Sequence, residues 1–146
     1  MEIVKKEQAN GGEGAIFIKH ILNETELNGK CKMFAEVTIP AGCSLGYHVH
    51  HNESETYYIV KGEGEYNDNG TTRTVKAGER TFTPDGCGHG IANRTDQDWY
   101  LWLLLFWTRK SGDKPGSRIG NARHPEEGGA PLWTGHSLIP EYIRRF

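Results

Sequence analysis

Apolar and polar side chains alternate along the first two thirds of the chain. In "CKMFAEVTI" at 31–39, Cys31, Met33, Ala35, Val37 and Ile39 share one parity, which in an extended strand means one face. The same reading predicts strands in "AIFIKHI" at 15–21, "ETYYIV" at 55–60, "TTRTVKA" at 71–77, "RTFT" at 80–83, "HGIAN" at 89–93 and "WYLWLLLFW" at 99–107. Helical three-to-four spacing is nearly absent. The stretch "NDNG" at 67–70 ends in Asn69-Gly70, a dipeptide suited to the positive φ angles of a tight hairpin. Many short strands divided by turns predict an all-β sandwich or barrel.

Two segments depart from this alternation. The 99–107 run is apolar on both parities, so it is expected to be covered on both faces, as a central strand, by a second subunit on its outer face, or by both. After Arg109, "SGDKPGSRIGNARHPEEGGAP" at 111–131 is rich in glycine and proline and has no period, the pattern of an irregular linker. The last stretch regains apolar residues from Leu132 to Phe146, with Ser137 and Pro140 placed to start a short helix. The expected division is a barrel over 1–108 and an irregular extension over 109–146.

Composition narrows the function classes. A chain of 146 residues, 36% apolar and 25% charged, suits one domain that buries roughly 68–70% of its unfolded surface. The formal charge is −2 with both signs dispersed, so no basic stripe suggests nucleic acid. The start lacks the apolar core of a secretory signal and the 99–107 run is about half a membrane span. A cytoplasmic protein without a membrane partner is therefore expected. Cys31, Cys43 and Cys87 are odd in number and lack CxxC spacing, which points to small core residues rather than a disulfide framework or a zinc ribbon.

"GYHVHHNESETYY" at 46–58 carries the candidate chemistry. His48 and His50 are two apart, so on a strand they project to one side, close enough to grip one ion. Glu55 shares parity with Tyr57 and Ile59; if Ile59 faces the interior, so does the carboxylate, which then needs a cation or several donors. His51 has the opposite parity and is expected to point outward. Glu53 is a candidate catalytic acid or base at the barrel mouth, and Tyr57 a candidate pocket-wall or catalytic residue. Cys87 reads as a structural thiol. His20, His124 and His136 read as surface residues, and Arg73, Arg80 and Arg94 as cations of undecided facing.

The spacing around these residues resembles a known family. Gly42, His48, His50, Glu55 and Gly62 fall on the first cupin motif, G(x)5HxH(x)3-4E(x)6G, and Gly78, Pro84, Gly86, His89 and Asn93 on the second, G(x)5PxG(x)2H(x)3N. Two motifs in order cover roughly 31–107, with a short gap as in small single-domain cupins. The tail lies outside the resemblance. Gly62 and Gly78 are expected at turns of a closed barrel where a Cβ would obstruct the chain.

The resemblance implies a single-domain jelly-roll β-barrel in which His48, His50, Glu55 and His89 bind one divalent transition metal. Three imidazoles and a carboxylate suit manganese, iron, nickel, copper or zinc. It further implies a metal-dependent enzyme on a small polar or carboxylate-bearing molecule, of dioxygenase, decarboxylase, isomerase or lyase type. The alternatives are a non-catalytic metal-bearing module that binds or senses a small ligand, and a metal-free sugar isomerase on the same fold. A homodimer is expected from the doubly apolar 99–107 strand and from what similar small barrels do.

Overall fold

The computed structural model describes residues 1–108. The expected extension, with the helix start at Ser137 and Pro140 and with His124 and His136, lies outside the described residues. Ten strands form two antiparallel sheets: β1 Ile3–Glu7, β2 Ala15–His20, β3 Met33–Ile39, β4 Ser44–Val49, β5 Glu53–Lys61, β6 Glu63–Asp68, β7 Thr71–Lys76, β8 Arg80–Thr83, β9 Gly88–Ala92 and β10 Trp99–Trp107. One sheet runs β1-β2-β3-β10-β5-β8 and the other β4-β9-β6-β7. The chain is thus the expected all-β jelly roll.

Period-two alternation places the core. Ala35, Val37 and Ile39 of β3 are buried, as are Tyr57 and Ile59 of β5 and Trp99, Leu101, Leu103 and Leu105 of β10. These inward side chains, with Ile16, Tyr66, Val75 and Ile91, make one cluster between the sheets. Each fully buried large apolar side chain contributes about 1.5–3 kcal/mol relative to exposure. The hairpin from β6 to β7 turns where predicted, with φ of 48° at Asn69 and 97° at Gly70.

β10 is a central strand, hydrogen-bonded to β3 on one side and β5 on the other. Its inner face is covered but its outer face is not covered by the described residues: Trp102 and Phe106 remain exposed, beside Tyr58, Val60 and Phe82. Phe34 meets the edge of Trp102, and Tyr58 lies against its other side. No helix of the described residues is long and apolar enough to cross a membrane.

Three strands and one helix go beyond the alternation reading. β1 is an edge strand with only Val4 partly buried, and β6 buries Gly64 and Tyr66 but has only one apolar side chain to show. β4 changes register between Leu45 and His48, a bulge that breaks its alternation. The one-turn helix α1, Glu24–Leu27, starts with a capping box in which Asn23 and Glu26 bond each other's backbone amides. The cysteines are also less buried than core residues: all three are free and half-buried.

The two motif glycines are needed for different reasons. At Gly62, φ is 88° and a Cβ would stand 3.3 Å from the Asp98 carbonyl oxygen, so crowding and backbone both select glycine. At Gly78, φ is 90° but nothing lies within 4 Å of a Cβ; the backbone conformation alone is the reason there, not the obstruction expected from sequence.

A third glycine, Gly64, has ordinary φ but faces the fully buried Trp99, and a Cβ there would overlap three carbons of its six-membered ring. Gly64→Ala is expected to lower stability by about 1–3 kcal/mol through overpacking. Urea denaturation at an unchanged slope checks this, and an unchanged midpoint would contradict the packing described.

Candidate metal centre

The two sheets bring four separated residues to one point between them. His48 on β4 is the direct cross-strand partner of His89 on β9, so their rings are neighbours, with centroids 4.7 Å apart. His50 follows two residues after His48 and its ring is 4.9 Å from each of the other two. Glu55 reaches across from β5 in the opposite sheet, with Oε2 2.8 Å from His89 Nε2 and 3.5 Å from His50 Nε2. One ligand atom from each of the four lies within 4.8 Å of all the others. Donors bound to one ion at about 2.0–2.2 Å stand up to about 4.4 Å apart, so shifts of about half an ångström close the set.

The hydrogen bonds around the rings fix which nitrogens are free. His48 Nδ1 lies 3.0 Å from the Gly46 carbonyl oxygen, an acceptor only, so Nδ1 carries the proton and Nε2 keeps its lone pair. His50 Nδ1 lies 3.0 Å from Glu53 Oε1, which imposes the same tautomer. His50 Nε2 and His89 Nε2 then lie 3.0 Å apart, a hydrogen bond in which His89 donates to the His50 lone pair. Glu55 Oε2 is buried and, despite its short distances to both rings, makes no hydrogen bond of acceptable geometry. Three imidazole rings gathered around a buried, unbonded carboxylate oxygen, with one proton shared between two of them, are the arrangement a divalent cation fits once that proton leaves.

Electrostatics point the same way. Burial alone would raise the Glu55 carboxyl, but the close His50 and His89 rings outweigh it and hold the group down at about 2. His50 is raised, first by Glu55 and, against its burial, also by Glu53. His48 is lowered, chiefly by burial. The site thus keeps an ionised carboxylate beside rings whose nitrogens a metal and a proton would share.

Around the four, the remaining candidates take distinct places. Glu53, the first residue of β5, is largely buried, bonded to His50 and to Lys32 Nζ at 2.5 Å. Burial would raise its pKa, but Lys32 and His50 bring it below the ordinary range. The Lys32 ammonium also sits 5.2 Å over the Trp107 ring. Tyr57 is fully buried, stacked on His89 with centroids 5.1 Å apart. Its hydroxyl has no hydrogen-bond partner, and burial, followed by the charge of Glu55, pushes its pKa well up.

The other sequence candidates lie away from the centre. His51 is exposed, as its parity predicted. Arg73, Arg80 and Arg94 are all exposed; Arg73 lies over the Tyr66 ring, and Arg94 pairs with Glu13 and Glu65. His20 is half-buried and lines a surface cavity of about 840 Å³ with α1, Lys32 and Trp107. That cavity touches none of the four residues.

A cavity of about 310 Å³ does reach the centre, since Glu55 and Tyr57 form part of its wall. Sequence reasoning did not anticipate the role of Asn93. Its buried amide donates to the Ile39 and Gln97 carbonyls and its oxygen accepts from Thr95, tying the end of β3 to the loop after β9. An inward polar residue closing the second motif was the only signal for it.

Comparison with known proteins agrees with this fold. Residues 35–106 match the family model described as a cupin domain. An oxalate-binding protein of Thermotoga maritima is 40% identical over 97 residues, which span 65% of this chain and 80% of that protein. A Thermotoga maritima crystal structure, described as a predicted oxalate decarboxylase, superposes with a TM-score of 0.71 at 33% identity, covering 73% of this chain and 93% of that one. The cupin domain of Schizosaccharomyces pombe Cnp3 superposes with a TM-score of 0.58 at 17% identity, over 71% of this chain and 68% of its own, a likeness of fold alone.

The geometry separates His48 from its exposed neighbour His51. Elemental analysis of purified protein is expected to find about one transition metal per chain in the native protein and in His51→Ala, and a large loss in His48→Ala. Full stoichiometric metal in His48→Ala would refute the ligand set.

Proposed function

Because the chain belongs to the cupin superfamily, we propose that it is a metal-dependent cupin that takes a small carboxylate-bearing molecule onto one divalent transition ion held by His48, His50, Glu55 and His89. The observation that carries this reading is the buried Glu55 oxygen, short of any hydrogen bond, at the focus of three imidazoles. When bound, the ion would supply Lewis acidity toward ligand oxygens and leave coordination positions for them. The name of the 40% identical Thermotoga maritima protein supports a small anion as ligand.

The chain's own groups have definable parts in this scheme. Glu53, tied to Lys32, accepts from His50 Nδ1 and so orients that ring, the carboxylate-to-imidazole support that commonly strengthens metal affinity. Tyr57 keeps its proton at Oη, because burial beside Glu55 opposes ionisation, and can donate to a ligand oxygen. The apolar inner faces of β3 and β10 form a hydrocarbon wall beside the centre. In the catalytic form of the proposal, of dioxygenase, decarboxylase, isomerase or lyase type, Tyr57 holds the reacting molecule by a hydrogen bond from Oη, and Glu53 is the candidate acid or base beside His50.

One observation favours a second reading, a non-catalytic module that holds its ligand. Glu53 is already engaged by both Lys32 and His50, and burial beside Glu55 opposes loss of the Tyr57 proton, so neither candidate is set to move a proton. Loss of bound ligand over time, followed by mass spectrometry with oxygen uptake, separates the two: consumption supports the enzyme, and indefinite recovery of intact ligand supports the holder.

Two further measurements test the proposal. Thermal shift with small carboxylates should stabilise metal-loaded protein, by about 2.7 kcal/mol at 100 times the dissociation constant, and leave chelator-treated protein unchanged. Equal shifts with and without metal would contradict it. A homodimer belongs to the same proposal, supported by the exposed Trp102, Phe106, Tyr58 and Phe82 on one sheet face. Light scattering at micromolar concentration should give twice the chain mass; monomer alone would remove the dimer and leave the metal reading standing.

A further inference from the structure

The cavity that reaches Glu55 is not built for a ligand that is polar throughout. Its wall includes Ile16, Ile18, Met33, Val37, Leu103 and Leu105. On β10, Leu105 lies opposite Glu55 and Leu103 opposite Tyr57, so hydrocarbon flanks the polar pair directly. Leu103 and Leu105 each keep 7% exposure while Leu101 keeps none; the barrel is sealed at Leu101 and hollow beside Glu55.

Among the described residues, no cation lies inside to meet a second carboxylate. Lys6 and Asn10 are the polar residues at the cavity's outer edge, and both are exposed. The described buried polar residues include no lysine or arginine, and Arg73, Arg80 and Arg94 are all exposed. A dianion the size of oxalate, chelating through one oxygen of each carboxylate, could give one remaining oxygen to the Tyr57 hydroxyl but would press the other against hydrocarbon, a costly desolvation. It would also leave much of 310 Å³ unfilled, since at about 30 Å³ per water-sized group the cavity has space for up to about ten non-hydrogen atoms.

Resting on the metal reading above, we propose that the preferred ligand is a monocarboxylic acid that chelates through its carboxylate and an adjacent oxo or hydroxyl oxygen and carries an aliphatic substituent into this cavity. The two chelating oxygens satisfy the ion, and the substituent replaces water along Leu103, Leu105, Ile18 and Met33. Each added methylene then tightens binding by about fourfold until the cavity is full.

The test is calorimetric titration of the manganese- or nickel-loaded full chain with oxalate, pyruvate, 2-oxobutanoate, 2-oxopentanoate and 4-methyl-2-oxopentanoate, with metal content measured on the same samples. The expected result is affinity rising from pyruvate along the series and oxalate weaker than 2-oxopentanoate. Leu103→Trp and Ile18→Phe, each checked for full metal content, should flatten the series by filling the cavity while pyruvate binding is retained. Stoichiometric metal with oxalate as the tightest ligand, with affinity independent of chain length, or with no detectable binding of any acid overturns this inference and leaves the metal site intact. Absence of bound metal in the native protein overturns the reading it rests on, and the inference with it.

Discussion

Glu55 sets the constraint around which this barrel is arranged. An ionised carboxylate removed from water is costly unless positive charge or several donors meet it. Here the group is nearly inaccessible, is kept ionised, and has an oxygen that no protein hydrogen bond completes. The partners that approach it are imidazole nitrogens, two of which have their other nitrogen engaged by Gly46 or Glu53. A divalent ion resolves all of these at once, because it neutralises the carboxylate and takes the free lone pairs.

The fold supplies the opposed surfaces that this requires. His48 and His89 are cross-strand partners in one sheet, and Glu55 comes from the other. The glycine at 64 lets Trp99 fill the closed part of the barrel, while the leucines of β10 leave space beside Glu55. The same strand therefore seals one part of the interior and shapes the ligand cavity in the other. Its outer face, with Trp102 and Phe106, has a different task, which the homodimer proposal addresses.

Much of this was legible in the order of residues, for physical reasons that differ by element. Strands with strong alternation, such as β3, and the Asn69-Gly70 hairpin announce themselves because side-chain parity and positive φ are local properties. The parity of His48, His50 and Glu55 located the centre, and that of His51 excluded it. β1, β4 and β6 were hidden because an exposed edge, a bulge and a glycine packed under tryptophan each erase alternation. The contact of Glu53 with Lys32 joins residues 21 apart, and the facing of the three arginines depends on neighbouring strands. Neither follows from local spacing.

Comparisons support the family and the fold; the centre's chemistry turns on whether an ion sits where the lone pairs meet. Anomalous-difference maps from crystals grown with a transition metal address this directly. The account predicts one strong peak about 2.0–2.3 Å from the ligand atoms of His48, His50, Glu55 and His89. A map with no peak there, with the direct His50–His89 contact retained in the presence of the metal, would contradict it.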